Sequence, residues 1–238
     1  MRVNSFVGKL KDVLKYLGNP QYNFNEEIKT KDKFRDIFVL YIFDFLIVIV
    51  LSVLIRQFLE VESSGLTGMK NELNPLEILL FGITFVPIFE ELVFRLWLVF
   101  KPLYLGISIT LFSYLVLSKV FYQTGIINIR DGLTVRLSIA VSVGLIFYFV
   151  ARSFSDHIRP LWGKKFRWVY YFSVLLFGLM HMFNYDTSHD ILLLPILTLP
   201  QMIGGIFNGY VRVKYGFFYG VFLHSIYNLL PMLGTVLL

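Results

Sequence analysis

The sequence contains no cysteine, and only 16% of its 238 residues are charged. The absence of thiols excludes a disulfide framework, a cysteine nucleophile and a thiolate metal site. A soluble domain carries about 25% charged residues, so the low fraction argues against an ordinary soluble protein. We expect no cleavable secretory signal in this sequence, because the first apolar stretch begins only near Phe38, after a polar and basic lead. We therefore expect the first apolar span to remain as a membrane anchor.

Apolar residues dominate instead, with 56% of the chain hydrophobic and a mean hydropathy of +0.68. A membrane-spanning helix needs about 20 mostly apolar residues. By that measure the sequence predicts an all-α protein, a polytopic membrane helix bundle with about seven transmembrane helices. Pro195 and Pro200 predict a kink in the sixth of these helices. The predicted spans are residues 36–56, 77–100, 102–120, 132–152, 168–186, 190–212 and 215–237.

Basic residues give the chain a formal net charge of +6, and they lie mainly between the apolar spans. This placement indicates orientation in a lipid bilayer, and no nucleic-acid partner is predicted. With the N-terminus in the cytosol, the inner segments hold sixteen Lys and Arg residues and the outer segments hold five. The positive-inside rule therefore predicts a cytosolic N-terminus and an outer C-terminus. A different number of spans would reverse the position of the C-terminus.

The first residues predict a separate N-terminal element, because apolar side chains recur at helical spacing over residues 1–17. Three lysines lie off this stripe, which indicates a short basic amphipathic helix. Such a helix either lies on the membrane surface or packs on the cytosolic face of the protein itself. Residues 21–34 are polar and are interpreted as a linker. The sequence thus predicts an interfacial helix and linker over residues 1–34 and one membrane domain over residues 35–238.

Several polar side chains fall inside the predicted spans, where each costs a few kcal/mol and requires a reason. Glu91 and Arg95 are four residues apart with the acid first, which favours an ion pair on one helix face. Glu90 is displaced by about 100° around the same helix, so it remains available for chemistry. The polar residues of this kind are Asp44, Glu90, Glu91, Arg95, His181, His224 and Asn228.

Three short motifs contain most of these residues: Glu-Glu-x-x-x-Arg at 90–95, Phe-x-x-x-His at 177–181 and His-x-x-x-Asn at 224–228. The residues in each spaced pair project from one helix face. In this order, and on membrane spans, the set resembles the CAAX protease and bacteriocin-processing family, and it is similar to the eukaryotic CAAX prenyl endopeptidase. The resemblance extends from the second span onward, and Pro87-Ile88-Phe89 before the first motif fits it.

The resemblance implies an intramembrane endopeptidase. It implies that Glu90 and His181 activate a water molecule for attack on a peptide bond. It also implies that His224 and Asn228 bind the oxyanion of the tetrahedral intermediate. Both roles agree with physical chemistry, because a carboxylate in an apolar site suits proton transfer and fixed donors stabilise developing charge.

Supporting roles follow from the same resemblance, in which Glu91 and Arg95 hold the site together and Phe177 belongs to the second motif. Two features depart from the family pattern. Leu96 stands where Gly often follows the motif arginine, and two apparent spans separate the first motif from the second. Two inserted spans preserve the direction of the next helix, so the site can still assemble. These departures affect the expected substrate and subfamily more than the expected reaction.

The sequence leaves two alternatives for the metal dependence of the reaction. The first is metal-free, glutamate-type catalysis with no cofactor. The second is a zinc site in which Glu90, His181 and His224 are the ligands and a water takes the fourth position. No His-Glu-x-x-His motif is present.

Alternative functions also stay open at this stage. A non-catalytic bacteriocin-immunity or peptide-binding membrane protein could use the same cavity. A transporter could use the same acids and histidines as a proton relay, although the sequence shows no related halves. The predicted partners are the lipid bilayer and a peptide or membrane-protein substrate. The predicted location is the bacterial cytoplasmic membrane, with the chain as a multi-pass protein.

Overall fold

A computed structural model describes residues 6–22, 28–58, 73–185 and 193–237. Within these ranges every regular element is a helix, which confirms the predicted all-α membrane fold. Parts of three predicted segments fall outside the described residues. These are residues 1–5 and 23–27 of the N-terminal region, residue 186 of the fifth span and residues 190–192 of the sixth.

The N-terminal region forms two helices, α1 (Phe6–Gly18) and α2 (Thr30–Phe58). Helix α2 is the first span and begins at Thr30, so the end of the polar segment interpreted as a linker is already helical. Its first turn contains Asp32, a favourable position for an acid beside the positive end of the helix dipole.

Helix α1 packs on the protein. Val13 and Tyr16 are buried in the main apolar core, and the Tyr16 ring makes edge-to-face contacts with Tyr170 and Tyr210 at centroid distances of 5.7 and 5.0 Å. Burial raises the pKa of Tyr16, so its phenol stays uncharged. Of the two alternatives for this amphipathic helix, these contacts favour packing on the protein's own face over lying free on the membrane surface.

The second predicted span is a chain of short helical pieces. It contains α3 (Pro75–Leu80), a π-helical segment (Phe81–Phe85), α4 (Val86–Phe94) and a 3₁₀ turn (Leu96–Leu98). Asn74 caps α3 in a capping box with Glu77, which fixes where the helix begins. The breaks that follow fall on both sides of the first sequence motif.

The two spans predicted between the first and second motifs form a hairpin. Its first arm is α5 (Pro102–Val116), which continues as a π-helical segment (Leu117–Phe121), and its second arm is α6 (Leu133–Ser153). The arms approach closely because both contact positions are glycine. A Cβ atom on Gly144 would lie 2.9 Å from the carbonyl oxygen of Gly106.

The remaining helices complete the bundle around the site. Helix α7 (Ser155–Lys164) leads into α8 (Phe166–Met180), which ends in a 3₁₀ turn (His181–Asn184). The sixth predicted span divides at Thr198, as its prolines predicted, into α9 (Leu194–Leu197) and α10 (Leu199–Tyr215).

The last helix is α11 (Phe217–Leu237). It follows α10 directly through Gly216, whose φ of 110° is strained for residues with a side chain. The chain therefore reverses within one residue, and α10 and α11 pack side by side.

Five helices in the described ranges are long and apolar enough to cross a membrane, so the chain is a multi-pass membrane protein. The second and sixth predicted spans are not among them. The second is broken into short pieces with four charged side chains, and the longest helix of the sixth has 17 residues. A total of seven therefore stays a prediction. The five are Thr30–Ile55, Pro102–Phe121, Leu133–Ser153, Phe166–Asn184 and Phe217–Gly234.

Candidate active site

Three helices bring the acids and histidines of the motifs together. Glu90 projects from α4, His181 lies at the end of α8, and His224 projects from α11. The Glu90 carboxylate lies between the two imidazoles, with Oε1 3.8 Å from Nε2 of His181 and Oε2 3.3 Å from Nε2 of His224. The side chains of Glu90 and His181 are 20% and 16% exposed, so they form the open side of the cluster.

Glu91 faces away from this opening and is fully buried. Its Oε1 atom lies 3.2 Å from Nη1 of Arg95 and 3.0 Å from Nδ1 of His224. The ion pair predicted from the four-residue spacing is therefore present, and Glu90 faces elsewhere, as the helical geometry predicted. A buried carboxylate requires such partners, because isolated charges are costly in an apolar interior.

The hydrogen bonds of the two histidines fix which ring nitrogen carries a proton. Nδ1 of His181 lies 2.8 Å from the carbonyl oxygen of Phe177, which can only accept. Nδ1 of His224 faces the Glu91 carboxylate, which accepts in the same way. In a neutral ring with its proton on Nδ1, the unprotonated Nε2 atom faces Glu90, and this holds for His181, whereas His224 has a carboxylate at each ring nitrogen.

Phe177 packs between these charged groups. The Arg95 guanidinium lies 3.6 Å from the centre of the Phe177 ring, and the His181 ring makes an edge-to-face contact at 4.5 Å. Gly205 on α10 leaves room for this arrangement, since a Cβ atom there would lie 3.1 Å from both Arg95 Nη2 and Phe177 Cδ1. The absence of a side chain at Gly205 thus brings the backbone of α10 against the buried cation.

Asn228 has a partner that the sequence did not indicate. Its Nδ2 atom donates to the carbonyl oxygen of Gly82 at 3.0 Å, across 146 residues of chain. Gly82 belongs to the π-helical segment Phe81–Phe85. Asn228 lies one helical turn beyond His224 on α11, so the two side chains lie on one face of the helix, as predicted.

Arg212 is a site residue that sequence reasoning missed. The positive-inside count treats it as a loop charge, but its side chain is buried and donates to the carbonyl oxygens of Arg95 and Leu96, both at 3.2 Å. These carbonyl oxygens have no helical N–H donor because α4 ends there. An unpaired carbonyl in a membrane interior costs several kcal/mol of free energy, about the value of a lost hydrogen bond. Nothing in the sequence distinguishes this arginine from one that faces water.

Two serines also donate hydrogen bonds to carbonyl oxygens near the end of α4. Ser108 on α5 donates to the carbonyl oxygen of Leu92 at 2.6 Å, and Ser173 on α8 donates to that of Phe94. Side chains from three other helices therefore satisfy the broken end of α4. The helix that carries Glu90 and Glu91 is held by partners distant in sequence.

The acid and the two histidines of the cluster can be compared with the ligands that a metal ion requires. Among the residues that the structure describes, no three His, Cys, Asp or Glu side chains form a group with metal-binding geometry. The donor chemistry of Glu90, His181 and His224 nevertheless fits zinc, because each Nε2 atom is free and each Nδ1 atom has an acceptor. Metal-ligating histidines are oriented by acceptors in this manner.

Fold and site together define a multi-pass membrane protein with a carboxylate–imidazole centre enclosed by its helices. A family model described as type II CAAX prenyl endopeptidase Rce1-like matches residues 72–230. The match covers more than half of the chain and all three motifs, so the chain belongs to this family of membrane endopeptidases. No curated protein and no solved structure gives a significant match.

Proposed function

We propose that this protein is an intramembrane endopeptidase in which Glu90 and His181 activate the water that attacks a peptide bond. One observation carries the proposal: the partly exposed edge of the cluster is a carboxylate set between two imidazole Nε2 atoms. At 3.8 Å, Glu90 and His181 are too far apart for a direct hydrogen bond, so both can bond to a water between them.

In the first step this water attacks the carbonyl carbon of the substrate and gives up a proton. Glu90 accepts that proton as general base, and the water oxygen forms the new bond to carbon. The electron pair of the carbonyl moves to its oxygen, which becomes an oxyanion. In the second step the C–N bond breaks, and the proton held by Glu90 passes to the leaving amine.

The oxyanion requires donors, and His224 and Asn228 are suited to supply them. His224 would donate from a protonated Nε2 atom, and the contact of Nδ1 with the Glu91 carboxylate orients the ring toward the open side of the cluster. The Asn228 amide has two N–H groups, of which the bond to Gly82 uses one. Arg95 neutralises Glu91, and Phe177 packs against the cation.

We propose the glutamate-type, metal-free reaction as the first alternative. In the second, Glu90, His181 and His224 would hold a zinc ion that polarises the substrate carbonyl and acidifies water. A strong zinc chelator separates the two. Cleavage that survives chelation supports the glutamate-type reaction, and loss of cleavage that added zinc restores supports the metal site.

The substrate we propose is a peptide or membrane protein whose scissile bond reaches the partly exposed edge of Glu90. We also propose that the chain resides in a bacterial cytoplasmic membrane with its N-terminus in the cytosol. A fusion of a cytosol-active reporter to either terminus tests that orientation.

The decisive experiment compares new protein N-termini in membranes from cells that express the wild type, Glu90→Gln or Ser142→Ala at equal levels. Ser142 is exposed on α6, away from the cluster, and bonds only to its own helix. We expect termini that appear with the wild type and Ser142→Ala and are absent with Glu90→Gln. Identical profiles for all three would reject the peptidase and favour a peptide-binding or immunity protein.

A further inference from the structure

The π-helical segment ahead of Glu90 has an irregular hydrogen-bond pattern. The N–H of Val86 donates to the carbonyl oxygen of Phe81, five residues earlier. In a regular α-helix the N–H of Val86 would donate to Gly82 instead. The Gly82 carbonyl thus loses the donor that an α-helix would give it.

The π register offers Gly82 no replacement. Five residues beyond Gly82 is Pro87, whose nitrogen carries no hydrogen. A carbonyl without a donor is expensive in a membrane interior, so a side chain from another helix is needed. The Nδ2 atom of Asn228 supplies that donor at 3.0 Å.

Gly82 also permits the approach that this bond needs. A Cβ atom at this position would lie 2.5 Å from Sδ of Met232, which is one turn beyond Asn228 on α11. A side chain there would push α11 away from the π-helical segment. Gly82 and Pro87 therefore act together, one by admitting the helix and the other by leaving the carbonyl free.

We infer that Pro87 is a positioning residue, which keeps the Gly82 carbonyl free so that it orients the amide of Asn228. This inference rests on the proposed function, in which Asn228 stabilises the oxyanion. An amide can rotate to present either its oxygen or its NH₂ group. With one N–H on Gly82, the second N–H is directed to the reacting oxygen, and the repulsive amide oxygen is turned away from it.

The sharpest test changes only the N–H at position 87. Pro87→Ala introduces an N–H that can donate to Gly82 and displace Asn228. Lactic acid at the same position, incorporated by nonsense suppression, has the same methyl side chain but an ester in place of the N–H. We expect Pro87→Ala to lower kcat about tenfold to a hundredfold with KM unchanged, and the lactate protein to retain the wild-type kcat.

Pro75→Ala is the matched control, because Pro75 is the first residue of α3, where an N–H has no helical partner in any case. It should leave kcat unchanged. In an Asn228→Ala background, alanine and lactate at position 87 should give equal kcat values, since the group that they orient is gone. The substrate is a peptide that spans a cleavage site found by the comparison of N-termini.

Hydrogen exchange of the Asn228 side-chain amide gives a readout that does not depend on activity. We expect slow exchange in the wild type and the lactate protein, and fast exchange in Pro87→Ala. Equal kcat and equal exchange for alanine and lactate would overturn the inference while wild-type cleavage keeps the proposed function intact. If the wild type cleaves nothing, the proposed function fails, and exchange alone still decides whether Pro87 orients Asn228.

Discussion

The hairpin over residues 102–153 and the segment over residues 75–98 solve the same problem in different ways. Both must satisfy polar groups where water is scarce. The hairpin does so locally, since its buried Arg136 bonds to Ser118 at 2.8 Å and to the Asn128 carbonyl, all within 18 residues. The site segment does so through side chains of four other helices, at separations from 16 residues for Ser108 and Leu92 to 146 residues for Asn228 and Gly82.

The two regions differ in how far they depend on other helices. A helix without breaks satisfies its own backbone groups and needs little from its neighbours. The hairpin has one π-helical segment, whereas the site segment has a π-helical segment and a 3₁₀ turn, and other helices bond to the carbonyl oxygens that these breaks leave. The candidate site therefore lies in a part of the described residues that depends strongly on tertiary contacts.

The first prediction compares the cleavage rate of a variant in the site segment with that of a variant in the hairpin. Glu90→Gln removes the proposed general base and should lower the rate of cleavage about 10²- to 10⁴-fold. Ser142→Ala on the hairpin should leave the rate unchanged. Initial rates on a cleaved peptide, with both proteins at equal folded concentration, measure this. A Glu90→Gln protein with the wild-type rate would exclude Glu90 as the base.

Two of the buried arginines, one in each region's network, extend the comparison to stability. Arg212→Gln and Arg136→Gln each remove charged hydrogen bonds to backbone carbonyls, and each should lower the free energy of unfolding by about 2–3 kcal/mol. Only Arg212→Gln should also slow cleavage per folded molecule. Arg212 bonds to carbonyl oxygens at the end of α4, the helix that carries Glu90. Unfolding in mixed detergent micelles and rates on the folded fraction check both. Equal rates for the two variants would refute the link to the site.

Two glycines sharpen the same distinction. Gly144→Ala forces the hairpin arms apart and should cost about 1–3 kcal/mol of stability with no change in kcat. Gly205→Ala presses a methyl group against Arg95 and Phe177 at 3.1 Å, and should lower kcat about tenfold by shifting the cluster. Thermal unfolding and steady-state kinetics distinguish them. A reversed pattern would mean that the hairpin, and not α10, positions the site.

The smallest expected effect lies in the N-terminal helix. Lys9 lies 2.6 Å from Asp36, which also accepts from the Tyr215 hydroxyl at 2.8 Å. Lys9→Met should therefore cost about 1–2 kcal/mol of stability and leave cleavage unchanged, since Arg35 at 3.5 Å and Tyr215 still contact the acid. Thermal unfolding against the wild type measures this. A large loss of activity would give α1 a role in the site that its contacts do not indicate.

The sequence predicted contacts within the site better than the residues that hold its helices in place. Four-residue spacing predicted the Glu91–Arg95 pair and the shared face of His224 and Asn228, because the helical period is fixed by the backbone. The total of seven spans stays a prediction. In the described residues, the charged side chains of the second predicted span and the division of the sixth at Thr198 leave five helices with the length and composition of a span. Arg212 was counted as a loop charge, because burial depends on neighbours that hydropathy does not include.

The all-α membrane class, the positions of the polar motifs and the choice of Glu91 as the paired acid could all be predicted from the sequence. These follow from composition and helical period, which act over a few residues. The position of Glu90 between two imidazoles, the packing of α1 on the protein and the bond from Asn228 to Gly82 are visible only in the folded structure. Each of these depends on side chains that are distant in the chain, and no local propensity specifies how such helices pack.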